Sequence, residues 1–159
     1  MVSLPATAFA RSRHGPINLK TQGFASDAEV AALVEAFETG STPASEFTHV
    51  AHIAVALSYL ENLASNQARE RMRERIRAFA GHHGAGNLYH ETLTTFWMRL
   101  LEHVAQTYDV ELPLWQRINL IVARWGTSAP VQAHYTRELI ASKAARENWI
   151  PPDRLPLPF

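Results

Sequence analysis

Three histidines in apolar surroundings are the residues of this chain whose types and spacing could do chemistry. His49 and His52 lie three positions apart in FTHVAHIAVALSYL, residues 47–60, and His90 lies in NLYHETLTTFWMRL, residues 87–100. Residues three apart on a helix are neighbours on its surface, so the first two rings can approach one ion. Helical pairs of this kind supply ligands to metal sites in bundles. The spacing therefore predicts a metal site.

Helical periodicity directs all three rings toward the interior. At about 100° per residue, His49 and His52 fall near the centre of an apolar arc that includes Ala56 and Tyr59. The same arithmetic places His90 about 40° from the centre of an apolar stripe on a second predicted helix. One divalent ion would satisfy three neutral imidazoles together. We therefore expect His49, His52 and His90 to bind a divalent transition metal (Fe, Cu or Zn).

Oxygen-bearing side chains close to these histidines are candidate catalytic residues. Glu46 lies one turn before His49, while Tyr89 and Glu91 flank His90. We expect Glu46 or Glu91 to be a fourth ligand or a proton carrier, and Tyr89 to contribute its hydroxyl group. For Glu91, a polar-face carboxylate near a helix start is an equally good interpretation. A further histidine, His134, could close the site from the C-terminal segment.

The metal site has an alternative in which each histidine is satisfied separately. A buried neutral imidazole needs one donor and one acceptor, which a backbone carbonyl, a nearby hydroxyl group or a water molecule can provide. The inward groups would then orient a small molecule in an apolar pocket without a metal. A small-molecule binding or accessory protein is therefore the alternative function.

The surroundings of the predicted site favour a particular kind of chemistry. Tyr59, Phe96 and Trp97 would make the pocket wall largely apolar, which suits a small, partly apolar organic substrate. Three protein ligands leave an open position on the metal, as catalytic sites require. We expect a metal-dependent enzyme, with an iron or copper oxidoreductase slightly favoured over a zinc-dependent hydrolase or lyase.

Composition excludes several other classes of protein. The 159 residues include 15 basic and 15 acidic side chains, a balance that gives no electrostatic footprint for nucleic acid or for an anionic membrane. The chain contains no cysteine, which excludes disulfides, thiolate metal sites and a cysteine nucleophile. No run of apolar residues approaches the roughly 18 that a membrane span needs. We expect a cytoplasmic protein that binds neither nucleic acid nor membrane and that can form a homo-oligomer.

The elements that must position these residues are helices. Periodicity and capping signals predict an all-α bundle of four to five main helices over residues 25–150, an irregular N-terminal arm over residues 1–24 and a Pro-rich tail over residues 151–159. The predicted helices begin at Ser26 or Asp27, at Thr42 with Pro43, at about Asn66, at Leu88 and after Pro113, followed by two short helices capped by Thr136 and Ser142.

The combined motifs resemble an uncharacterised family of small bacterial all-helical proteins. The resemblance covers about residues 43–156 and rests on a Phe-Thr-His-x-x-His motif, a Tyr-His-Glu-Thr motif and a Tyr-Ser-like turn near the end. The matching positions are His49, His52, residues 89–92 and Tyr135, after which Thr136 stands in place of the serine. The resemblance implies a helical fold and supports the histidine site, but it implies no activity.

Overall fold

The computed structural model describes residues 23–86 and 89–159, and these residues fold into helices joined by short loops. The predicted all-α fold is confirmed. The predicted N-terminal arm lies almost entirely in residues 1–22, outside the described residues. The helices are α1 Asp27–Thr39, α2 His49–Asn62, α3 Ser65–His82, α4 Glu91–Ala105, α5 Leu114–Trp125, α6 Ala129–His134, α7 Arg137–Ala141 and α8 Lys143–Glu147.

Helix α2 is the centre of the bundle. It packs against α1, α3, α4 and α5, and its residues Ala54 and Val55 are fully buried. A helix that is apolar on most of its faces is stable only when other helices surround it. Because α2 carries His52 among these buried residues, the bundle core and the candidate site share one element.

Local capping signals determine several helix ends. The Ser26 hydroxyl accepts the Glu29 amide at the start of α1, and Gly40 ends that helix with a positive φ of 74°. Thr136 and Ser142 cap α7 and α8 through their side-chain oxygens. These predicted ends are confirmed because each depends on a residue's own side chain or backbone freedom.

Two predicted helix starts are wrong. Helix α2 begins at His49 rather than at Pro43, because the Thr48 hydroxyl accepts the Ala51 amide and residues 43–47 form turns instead. Helix α4 begins at Glu91, and His90 is its N-cap with φ −141° and ψ 105°. His90 therefore lies outside α4, so the helical periodicity that predicted its inward direction does not apply to it.

Helix α3 is tied to both of its neighbours by arginine side chains. Residues four apart lie on the same helix face, so its arginines divide into two sets. Arg69, Arg73 and Arg77 bind carboxylates of α4, and Arg71 and Arg75 bind Glu38 of α1. The charged face of α3 is thus an interhelical contact on two sides.

The C-terminal segment folds back onto α4. The Thr92 hydroxyl is fully buried, donates to the Asn148 carbonyl at 2.6 Å and accepts the Ile150 amide at 3.1 Å. The Tyr135 hydroxyl donates to the Ile150 carbonyl at 3.0 Å. Residues 151–159 form no helix, as the prolines predict. Within the described residues, the helices all lack the combined length and apolarity needed to cross a membrane.

Candidate functional site

His52 presents one unpartnered nitrogen in a partly buried position near the start of α2. Its Nδ1 atom lies 2.8 Å from the Thr48 carbonyl oxygen, and its ring centroid lies 3.9 Å from that of Phe47. Because a carbonyl oxygen only accepts, Nδ1 carries the proton and Nε2 is the acceptor. Burial, opposed in part by this hydrogen bond, lowers the pKa of His52 to about 4. The ring is therefore neutral near pH 7, and Nε2 has no hydrogen-bond partner among the described residues.

His90 is held by backbone groups at both ring nitrogens. Its Nδ1 atom accepts the Leu93 amide at 3.3 Å, and its Nε2 atom donates to the Ile140 carbonyl at 2.8 Å. The residue is only 8% exposed. As a metal ligand, His90 would have to give up one of these bonds, so its position is explained by capping α4 and fastening the C-terminal segment.

His49 is exposed and loosely held. Its ring meets the ring of Trp97 edge-on at a centroid distance of 4.5 Å, and partial burial lowers its pKa. Within residues 23–86 and 89–159, no hydrogen bond restrains its side chain. The ring can therefore turn at little cost.

These three histidines border one void, which we name the inner cavity. Its volume is about 230 Å³. Most of its wall is apolar, and within the part of the chain that the structure describes no Asp, Glu, Lys or Arg borders it. The lining residues are His49, His52, Ile53, Ala56, Met72, Ile76, Tyr89, His90, Leu93, Thr94, Trp97, Met98 and Leu101. The structure therefore brings the predicted histidines and Tyr89 to one place.

The predicted carboxylates are not part of the inner cavity. Glu91 accepts hydrogen bonds from Arg73 at 2.8 Å, Arg77 at 3.2 Å and the Tyr89 hydroxyl at 2.7 Å. Burial alone would raise the pKa of Glu91, but the Tyr89 hydrogen bond and the Arg73 charge outweigh it, and the pKa lies below its usual range. Glu46 is exposed in the turn before α2. Glu91 lies at a helix start, as the polar-face interpretation predicts. Its side chain is only 10% exposed, however, so it does not lie on a solvated face.

The hydroxyl group of Tyr89 is directed to Glu91 rather than to a ligand. Burial and the Glu91 hydrogen bond raise the pKa of Tyr89 to about 12, so the phenol stays protonated. Tyr89 borders the inner cavity, and the Arg77 guanidinium lies over its ring at 4.5 Å. With its hydroxyl proton donated to Glu91, Tyr89 offers the cavity no free donor.

The predicted metal ligands are not assembled around a common point. Within residues 23–86 and 89–159, no group of three His, Asp or Glu side chains is placed to hold a metal ion. The physical reason is visible at His90, where capping and the Ile140 carbonyl occupy both nitrogens. His134 instead binds the Leu155 carbonyl through Nδ1 at 2.8 Å, away from the inner cavity. Metal binding stays a prediction that would require His90 to turn.

A second void, which we name the outer cleft, adjoins the inner cavity. It measures about 770 Å³, and His49, Leu93 and Trp97 border both voids. The charged side chains on its wall are Arg137 and Arg154. These arginines were not predicted as site residues, because nothing in the local sequence around residue 137 or 154 indicates a cavity.

The chain matches no protein-family model, no curated protein and no solved structure. A function can therefore be inferred only from the geometry of the inner cavity and the outer cleft.

Proposed function

We propose that the protein binds a small, partly apolar organic molecule in the inner cavity without the help of a metal. The observation that carries this proposal is an apolar wall containing one neutral imidazole, His52, whose acceptor nitrogen has no partner among the described residues. Ligand sites of this kind combine apolar surface with a few polar groups that fix orientation.

Several polar groups of the inner cavity are already hydrogen-bonded within the protein and are not available to a ligand. His90 uses both nitrogens for backbone bonds, and the Tyr89 hydroxyl is bound to Glu91. Thr94 interacts with the Tyr89 hydroxyl. His49 also borders the cavity with ring nitrogens that have no hydrogen-bond partner among the described residues, but its ring is exposed. The better-buried acceptor is Nε2 of His52, so the preferred ligand carries one hydrogen-bond donor on an otherwise apolar body.

The volume of the inner cavity limits the size of the apolar part of the ligand. Sites for drug-sized ligands occupy about 300–1,000 Å³, and the inner cavity is smaller at about 230 Å³. A single aromatic ring or a short alkyl chain is the appropriate size. A sugar or a phosphate would leave many polar atoms against apolar walls, which is unfavourable.

Calorimetric titration with para-cresol and toluene tests this proposal. The two probes share the ring and the methyl group, but only para-cresol can donate to His52. We expect para-cresol to bind about 3–10-fold more tightly, the usual net contribution of one hydrogen bond. In His52→Asn, the amide nitrogen can still donate to the Thr48 carbonyl, but the amide oxygen lies closer to the backbone than Nε2 does, so the preference for para-cresol should largely disappear.

The control variant is His83→Gln, since His83 also bonds to a backbone carbonyl, that of Thr42, but lies outside the inner cavity. It should keep the wild-type preference for para-cresol. If neither probe binds the wild-type protein, or if His52→Asn keeps the preference, the proposal is wrong.

A metal-dependent enzyme is the second candidate. It is supported by the three histidines that border one cavity and by the Nδ1 bond of His52 to a carbonyl, an arrangement common among metal-binding histidines. Elemental analysis of untagged protein reconstituted with Zn²⁺, Fe²⁺ or Cu²⁺ tests it. This candidate predicts near-stoichiometric metal that His90→Ala removes and His82→Ala retains, whereas equal metal content in both variants would rule it out.

A further inference from the structure

The inner cavity and the outer cleft are separated by very little protein. His49, Leu93 and Trp97 border both voids, so a ligand in one lies next to the other. Of these, His49 is exposed and is restrained only by its edge-on contact with Trp97. Turning this ring costs no hydrogen bond among the described residues. The two voids can therefore receive a single elongated molecule.

The electrostatic character changes from one void to the other. Among the described residues, none that lines the inner cavity is charged, whereas the outer cleft is lined by Arg137 and Arg154 and by no Asp or Glu. Arg154 donates to the Gln132 carbonyl at 3.0 Å. Arg137 has no hydrogen-bond or ion-pair partner among the described residues. A guanidinium without a partner in a cleft is a ready recognition group for an anion.

The charges near the cleft indicate what kind of anion fits. Asp153 lies next to Arg154 in the chain and uses both carboxylate oxygens on Thr136, at 2.8 Å to the amide and 2.5 Å to the hydroxyl. Its negative charge offsets that of Arg154. Glu138 follows Arg137 in the chain but does not border the cleft. Among the described residues, Arg137 is therefore the unpaired guanidinium on the cleft wall, and one guanidinium matches one carboxylate group.

We propose that one amphipathic carboxylic acid occupies both voids, with its carboxylate on Arg137 in the outer cleft and its largely apolar tail in the inner cavity, where a donor group on the tail would meet Nε2 of His52. This inference rests on the proposed function, because it names the class of molecule that the inner cavity receives. The tail passes His49 and Trp97, and the carboxylate receives paired hydrogen bonds from the planar guanidinium.

Binding of octanoate, octanol and octylamine tests this assignment, because these probes share one chain length and differ in the charge of the head group. We expect octanoate to bind about tenfold more tightly than octanol and octylamine to bind least, since a hydrogen bond to a charged group contributes more than a neutral one. Added salt should weaken octanoate binding and leave octanol binding nearly constant.

The Arg137→Gln variant should bring the ratio of octanoate to octanol affinity to about one. Arg124→Gln is the matched control, because it removes the same charge from an exposed arginine on α5 that borders neither void. It should keep the wild-type ratio. If octanol binds and octanoate binds no more tightly, or if Arg137→Gln keeps the preference, this inference fails while the proposed function stands. If no octyl probe and no cresol bind, both fail.

Discussion

The neutral state of His52 gives the protein a specific dependence of stability on pH. Burial, opposed in part by the Thr48 hydrogen bond, lowers the pKa of His52 from 6.5 to about 4 in the folded protein. The unfolded chain therefore binds more protons than the folded protein between these two values. The neutral ring therefore costs almost nothing well above pH 6.5. The free energy of unfolding falls as the pH drops from about 6.5 to about 4, and this loss reaches its full size below about pH 4.

The magnitude follows from the width of that window. Between pH 7 and pH 5, the lowered pKa of His52 corresponds to about 2 kcal/mol of lost stability. For a chain of this length, about 2 kcal/mol lowers the melting temperature by about 4–8 °C. The carboxylates Glu38, Glu61 and Glu91 also have lowered pKa values, but their contributions are lost below about pH 4.5. Measurements at pH 5 and above therefore exclude the carboxylates. His49, whose pKa is also lowered by burial, contributes in the same window, so the effect of His52 is obtained from the difference between the wild-type protein and a His52 variant.

Urea unfolding followed by circular dichroism at pH 7 and pH 5 measures this effect. His52→Asn should lose about 2 kcal/mol less than the wild-type protein over the same change in pH. Proton NMR of the ring resonances gives an independent measurement, in which the His52 signal should move only near pH 4. A His52 signal that titrates between pH 6 and pH 7, together with equal pH dependence in the variant, would refute the reasoning.

Two further predictions concern the packing around the site. Thr92→Val keeps the side-chain shape but leaves two backbone groups of the C-terminal segment unbonded, so we expect the free energy of unfolding measured in urea to fall by about 2 kcal/mol. The exposed Thr107→Val is the control and should change stability by less than about 0.5 kcal/mol. Ala56→Leu should fill the inner cavity and weaken para-cresol binding by more than about tenfold with little loss of stability. Ala54→Leu, which is buried elsewhere on α2, should lower the free energy of unfolding by about 1–3 kcal/mol and leave para-cresol binding to the folded protein unchanged. A stable Thr92→Val protein, or full cresol affinity in Ala56→Leu, would contradict the corresponding prediction.

The parts of the fold that follow from local signals were predictable from the sequence. The ends of α1 depend on a serine hydroxyl and on a glycine with positive φ, and α7 and α8 depend on Thr136 and Ser142. Helix α6 is absent from the predicted helices. Its Pro130 lies in the first turn, where proline is tolerated because no intrahelical N–H bond is needed there.

The direction of His90 could not be calculated correctly from helical periodicity. The calculation requires the residue to have helical φ and ψ, but His90 is extended and caps the helix that follows it. The residue still borders the inner cavity, for a different reason: its Nε2 atom binds the Ile140 carbonyl, 50 residues away. The ion-pair partners of the α3 arginines could not be predicted either, since alternating charge in a sequence does not identify which helices are neighbours.

The arrangement of charge around α3 explains how the inner cavity stays apolar so close to several ions. Arg73 and Arg77 bind Glu91, and Glu91 in turn binds the Tyr89 hydroxyl, so these polar groups satisfy one another outside the cavity. Tyr89 therefore borders the cavity with its phenol proton already donated to Glu91. A ligand that enters therefore displaces no ion pair and meets neutral His52 as its hydrogen-bond acceptor. This favours ligands with an uncharged donor in the inner cavity and leaves recognition of an anionic group to Arg137 in the outer cleft.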